Sequence, residues 1–233
     1  MSTNWKKNGQ NLVYNVLNPF IKLLIKMGIT PNMITLLGLV INVVAAVVLI
    51  NGAENSDRSD HGCLAWAGLI ILLGGLMDMI DGRLARVTNT SSDYGALFDS
   101  VLDRYSEMIM FLGICYYLVS NDYFYSSIFA FIAMIGSIMV SYTRARAEGL
   151  GVNASVGIMQ RPERVIIIGV SALACGIFSN VFGGDFKIEA HMIPIPLFET
   201  ITIFTFPVFI LAILANITAV TRLLYAKKAI ANK

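Results

Sequence analysis

Four aspartates carry the densest chemistry in this chain: Asp78, Asp81, Asp99 and Asp103. They border or enter stretches rich in Leu, Ile and Met. A charged side chain at the centre of a membrane helix costs about 2.5 to 3.5 kcal/mol on insertion scales, less near an interface, so such residues face a partner or a wet cavity. Asp78 and Asp81 are three apart and Asp99 and Asp103 four apart, so on helices each pair shares a face. Two such helices side by side converge all four carboxylates. Hard oxygen donors without Cys or His favour Mg²⁺ or Mn²⁺ over zinc, and sites of this kind leave coordination positions to a phosphate substrate. Gly82 beside Asp81 and Gly95 one turn before Asp99 remove side chains where a ligand or helix must approach closely. Arg86 offers either a fork to phosphate oxygens or an anchor to lipid headgroups.

The elements that must position these residues are membrane helices. Of 233 residues, 56% are hydrophobic and 14% charged, a balance that soluble domains rarely show. Six stretches approach the roughly 20 apolar residues that cross a bilayer, at about Met33 to Ile50, Cys63 to Ile80, Ala96 to Ser120, Tyr123 to Tyr142, Val165 to Val181 and Leu197 to Leu223. Before them, from about Gly9 to Met27, apolar residues recur at helical spacing with Lys22 and Lys26 between them, which predicts an amphipathic helix on the membrane surface. Thr30-Pro31-Asn32 breaks that pattern and suits a new helix start, Thr as cap and Pro in the first turn. The expected fold is therefore an all-α integral membrane protein, with a juxtamembrane amphipathic segment at 1–29 and one six-helix domain at 30–233. No removable signal peptide is expected, because the polar N-terminal residues precede no compact apolar run with a cleavage site.

With both termini cytoplasmic, 14 Lys and Arg fall inside, Arg58 and Lys187 fall outside, and Arg104 is left within the third span, which sets the orientation by the positive-inside rule. Cys63, Cys115 and Cys175 form no ligand cluster and read as small core residues. His61 and His191 read as loop residues on the outer side.

Written as spacing, the aspartate region is D-x2-D-G-x2-A-R-x8-G-x3-D-x3-D from Asp78 to Asp103. It resembles the signature of the CDP-alcohol phosphotransferase family, and Pro31, Asn32 and Thr35 resemble that family's PN-x2-T element. The resemblance implies a six-helix, homodimeric membrane enzyme whose site opens near the cytoplasmic surface of a bacterial or archaeal membrane. In such an enzyme an alcohol attacks the lipid-bearing phosphorus of a CDP-linked donor, here CDP-diacylglycerol, and releases CMP. On this resemblance Asp78, Asp81 and Asp99 are the principal ligands of two Mg²⁺ or Mn²⁺ ions. Asp103, also beside the metal, is the base for the acceptor hydroxyl. Pro31, Asn32, Thr35, Asp78, Gly82, Ala85, Arg86 and Gly95 match positions that bind the CDP-lipid.

A second basic group follows the fourth span, SYTRARAE from Ser141 to Glu148 and QRPER from Gln160 to Arg164. Alone, it reads as surface anchoring with local Arg/Glu pairing. Beside a phosphotransferase site it resembles the branch of the family that uses inositol phosphate, with Arg144, Arg164 and Arg222 as the acceptor's phosphate pocket. Arg161 is either a fourth member or a partner of Glu163. The acceptor is then a phosphorylated polyol, inositol 1-phosphate first, with glycerol 3-phosphate or another alcohol such as serine as the alternative. The expected partners are these substrates, membrane lipids and a second copy of the chain, with no nucleic acid. Two readings outside enzymology compete: a cation transporter and a structural membrane protein with Asp paired to Arg. The first lacks an acidic path continuing through the other half of the membrane. The second leaves four carboxylates and two glycines at fixed spacing without a purpose.

Overall fold

The computed structural model describes residues 18–189 and 196–231. A short helix at 18–26, α1, precedes six long ones: α2 (Pro31–Asn55), α3 (Gly62–Thr88), α4 (Asp93–Ser120), α5 (Phe124–Glu148), α6 (Arg161–Phe182) and α7 (Thr202–Ala231). Five of the six are long and apolar enough to cross a bilayer. The exception is α4, which is 28 residues long but carries Asp99, Asp103, Arg104 and Glu107 within its first fifteen residues. Only the last part of the expected surface helix falls among the described residues. There Ile21 and Leu24 pack on Ile34, Ile80 and Leu84, while Lys22 and Lys26 are exposed. Leu12, Val13, Val16, Leu17 and His191 lie outside the described residues.

Each long helix packs mainly on two others, and the pairs close into a ring in the order α2, α3, α6, α7, α5, α4 and back to α2. Chain order and ring order differ, so α4 and α6 stand opposite each other. One half of the ring's interior is apolar, filled by Leu49, Leu64, Ile71, Phe111, Ile114, Ile168, Phe204 and Leu211. The other half, where α2, α4 and α6 begin and α3, α5 and α7 end, holds the charged residues.

Small residues set how closely the ring closes. An added Cβ at Gly68 of α3 would lie 2.6 Å from the Gly169 carbonyl of α6. One at Gly113 of α4 would lie 2.7 Å from the Ala46 Cα of α2. Between lipid-facing helices there is little hydrophobic drive to associate, so this backbone contact is what dispersion forces require.

The helix ends differ from the expected spans. The helices α3, α5 and α7 run on to Thr88, Glu148 and Ala231, which places Arg86 and Arg144, both beyond the expected spans, on helices. An apolar window ends at the first charges, whereas backbone hydrogen bonding does not. At α2, Pro31 takes the first turn and Thr30 is extended, but the Thr30 side chain makes no cap bond. The working cap is at α4, where Ser92 Oγ accepts from the Gly95 amide at 3.0 Å. His61 stands in the α2–α3 loop immediately before α3, as expected, but is fully buried there, with Nδ1 2.8 Å from the Tyr117 hydroxyl. The all-α expectation also needs an addition, since a two-stranded antiparallel hairpin, β1 (Lys187–Glu189) and β2 (Pro196–Glu199), joins α6 to α7. Lys187 pairs with Glu199 across it at 3.3 Å.

The glycine contact is directly testable. Gly68→Leu must push α3 from α6 or strain both, at about 1 to 3 kcal/mol for overpacking. Purified in detergent, this variant is expected to unfold at a clearly lower temperature than wild type, while Leu69→Ala, on the exposed face, should shift the midpoint little.

Candidate active site

The helices α3 and α4 bring the predicted carboxylates together. Asp78, Asp99 and Asp103 each place an oxygen within 4.8 Å of the other two. Asp81 lies one turn from Asp78 and is 5% exposed, with Oδ2 accepting from Thr35 Oγ1 of α2 at 2.8 Å. Thr35 Oγ1 is also 3.1 Å from the Pro31 carbonyl. The PN-x2-T element thus fixes the rotamer of one aspartate as well as lining a cavity.

The cluster suits a divalent cation. Its donors are all carboxylate oxygens, and Asp99 Oδ1 is buried with no hydrogen-bond partner among the described residues. A buried carboxylate oxygen without a partner costs free energy that a cation removes. The carboxylates are also held by a protein cation, because Arg161 Nη1 lies 2.5 Å from Asp78 Oδ1 and 2.8 Å from Asp103 Oδ1. Of the two sequence readings for Arg161, pairing with Glu163 or serving the site, the structure joins it to the aspartates.

Two chambers meet at these carboxylates. The first, about 350 Å³, is lined by Thr30, Pro31, Asn32, Thr35, Gly82, Ala85 and Gly95, together with Thr90, Ser91 and Ser92 of the α3–α4 turn. A Cβ on Gly82 would meet only Arg86 Nη2, at 3.7 Å, so this glycine keeps the chamber wall thin rather than permitting a helix contact. Arg86 is not among the lining residues; its Nε donates to the Gly82 carbonyl at 2.7 Å. The second chamber, about 540 Å³, is lined by Arg104, Arg144, Arg161, Arg164 and Arg222 and by Ser100, Ser141, Glu148 and Gln160. Asp81, Gly82, Ala96 and Asp99 belong to both walls.

The arginines of the second chamber are not equivalent. Arg144 is the most open, its side chain 49% exposed and paired with Glu148 one turn on. Arg222 donates from Nε to the Val156 carbonyl at 2.7 Å and from Nη1 to the Val140 carbonyl at 2.8 Å, tying α7 to α5 and to the α5–α6 loop. Arg164 is fully buried: its Nε and Nη2 donate to the two carboxylate oxygens of Glu107 at 2.8 and 3.1 Å, and Nη1 donates to the Met159 carbonyl at 3.1 Å. This fork-to-fork bond crosses the ring from α6 to α4, so Arg164 contributes positive charge from the chamber wall while its donors serve the fold. Sequence reasoning passed over Glu107, although it repeats the four-residue step of Asp99 and Asp103. Arg104, which the charge count leaves within the third span and outside the acceptor pocket, lines the chamber with Nη1 3.8 Å from Asp103.

Comparison with known proteins agrees with this geometry. Residues 28–226 match the family model for CDP-alcohol phosphatidyltransferase. A phosphatidylinositol phosphate synthase of Mycobacteroides abscessus is 34% identical over 76% of this chain and 75% of its own length. An archaetidylinositol phosphate synthase of Pyrococcus horikoshii is 36% identical over 69% of this chain and 78% of its own. Among solved structures, the phosphatidylinositol phosphate synthase of Mycobacterium tuberculosis with CDP-DAG bound superposes with a TM-score of 0.71 at 26% identity, covering 91% of this chain and 94% of the other. The same enzyme in complex with manganese and citrate gives 0.70, with 89% and 87% covered. A match to the family model that spans nearly all the described helices, together with relatives above 30% identity over most of their length, establishes that this integral membrane chain is an enzyme of the CDP-alcohol phosphatidyltransferase family.

Proposed function

We propose that the enzyme transfers the phosphatidyl group of CDP-diacylglycerol to a hydroxyl of inositol 1-phosphate, forming phosphatidylinositol phosphate and releasing CMP. The observation that carries this reading is the pair of chambers meeting at the carboxylates, one walled by small and hydroxyl-bearing residues and the other by five arginines. A nucleotide diphosphate suits the first. An alcohol with its own phosphate suits the second, since a dianion forms charge-assisted bonds that serine or free inositol cannot. The relatives named above for inositol phosphate lipids support the same choice of acceptor.

Each residue then has a task. Pro31, Asn32, Ala85 and Gly95 wall the cytidine and diphosphate, while Thr35 orients Asp81. Asp78, Asp99 and Asp103 supply the clustered oxygens for divalent cations, and Asp81 supplies the fourth carboxylate. Two Mg²⁺ or Mn²⁺ ions bound there would neutralise the diphosphate and stabilise CMP as it leaves. Asp103 faces the acceptor chamber and takes the proton of the attacking hydroxyl. The new bond joins that oxygen to the phosphorus bearing the diacylglycerol, the bond from that phosphorus to the CMP oxygen breaks, and no covalent enzyme intermediate forms. Arg144 engages the acceptor phosphate directly, whereas Arg164 and Arg222 hold the wall in place. We further read α4 as a sixth span, the charged end of the ring as cytoplasmic, residues 1–29 as a membrane-surface segment, and the working protein as a homodimer in a bacterial or archaeal cell membrane.

Three measurements test this reading. CMP release from CDP-diacylglycerol should stop in excess chelator and return with Mg²⁺ or Mn²⁺; undiminished turnover without metal refutes the metal assignment. Asp103→Asn should lower kcat by about 10²-fold, the scale of general-base catalysis, with CDP-diacylglycerol binding retained. If donor affinity falls and saturated rate does not, Asp103 serves binding alone. In a panel of acceptors, inositol 1-phosphate should be preferred, and Arg144→Ala should raise its KM about tenfold, as expected for losing one charged hydrogen bond, with the donor's KM unchanged. Preference for glycerol 3-phosphate would keep the phosphate chamber and change the product; preference for serine or free inositol would remove the chamber's purpose.

A further inference from the structure

Arg161 has two sets of anions within reach and one guanidinium to offer them. Its Nη1 touches Asp78 on α3 and Asp103 on α4, and the same side chain lines the arginine-walled chamber. The other arginine of this turn, Arg164, is locked by bonds to Glu107 and Met159, with side-chain exposures of 1% and 2% for the Arg164–Glu107 pair. Arg161 is looser, at 18%. Its charge does not depend on pH in the working range, so any change of partner is a movement and not a titration.

Competition follows from the geometry. The two oxygens that Arg161 touches belong to the carboxylates that, with Asp99, place donor atoms within 4.8 Å of one another. A divalent ion taking both as ligands needs Nη1 to withdraw. A phosphate in the neighbouring chamber gives that guanidinium another anion to pair with, one that it can engage with two nitrogens.

We propose that Arg161 couples the metal cluster to the acceptor chamber, pairing with Asp78 and Asp103 when the acceptor phosphate is absent and turning to that phosphate when it binds. This rests on the reading that the acceptor carries a phosphate. Metal and acceptor then favour each other, and by reciprocity each must raise the other's affinity by the same factor. A coupling of about tenfold lies within the usual range for linked sites. Arg161 thereby acts as a positioning residue that keeps the carboxylates paired with a cation at each stage.

The test is a binding measurement, independent of turnover. Free Mn²⁺ is followed by electron paramagnetic resonance during titration of the detergent-purified protein, with and without inositol 1-phosphate, against a protein-free blank. In wild type the acceptor should tighten Mn²⁺ binding about tenfold. In Arg161→Gln, Mn²⁺ should bind more tightly than in wild type when no acceptor is present, and the acceptor's effect should largely vanish. Equal coupling in both proteins would mean that through-space attraction between metal and phosphate suffices, and overturns the proposal. So does an absence of coupling in wild type with inositol 1-phosphate and with both parallel probes below, a result that needs no variant to fold. Inorganic phosphate and glycerol 3-phosphate serve as parallel probes: coupling with these but not with inositol 1-phosphate upholds Arg161's role and refutes the acceptor. No coupling with any of the three refutes Arg161's role.

Discussion

Charge inside a membrane protein has to find its countercharge within the protein, and this constraint organises the whole molecule. Glu107 and Arg164 show it most plainly, since they are almost fully enclosed and join opposite sides of the ring. Neither is tolerable alone in a low-dielectric interior, where an uncompensated ion costs several kcal/mol. The pair therefore requires α4 and α6 to face each other, and α2, α3, α5 and α7 fill the remaining places of the ring. Glu107 lies one turn from Asp103, and Arg164 one turn from Arg161. Fixing the inner pair thus sets the position of the outer one, where the chemistry is done.

The apolar half of the ring has the opposite task. Leu49, Leu64, Phe111 and Phe204 leave no path of charge through the other side of the membrane. The charged half is thus a blind pocket within the described residues, which agrees with an enzyme and not with a conductor. Close glycine contacts such as Gly68 on Gly169 and Gly113 on Ala46 keep the helices near enough for short side chains to converge. Packing at one level and electrostatics at another thereby specify the same arrangement.

Much of this arrangement is legible in the amino-acid sequence. The spacing of Asp78, Asp81, Asp99 and Asp103 identified a convergent carboxylate site because the helical period converts separation into direction. What could not be read was which helices are neighbours. A membrane helix is apolar toward lipid as well as toward its core, so the exposed Leu36, Val40, Val47 and Leu112 look in sequence like the buried Leu49 and Phe111. Glycines such as Gly113 and Gly136 were visible, but their partners Ala46 and Ala215 lie far along the chain. The same ignorance of neighbours hid Glu107, to which Arg164 of the chamber wall donates from Nε and Nη2. The hairpin between α6 and α7 escaped because its strands are three and four residues long, too short for a period of two to register.

The distance along the chain between the two ends of the buried ion pair also constrains how the protein is made. Arg164 follows Glu107 by 57 residues, so at a synthesis rate of about 5 to 20 residues per second the carboxylate leaves the ribosome roughly 3 to 11 s before its guanidinium exists. During that interval α4, the one long helix whose composition falls short of a membrane span, has α2 to lean on but no cation from α6. Its charged half must stay near water or the insertion machinery until α6 arrives. On the reading of α4 as a sixth span, its integration is a delayed step that depends on a later segment, and the buried ion pair beside the active site closes only once α6 has been made.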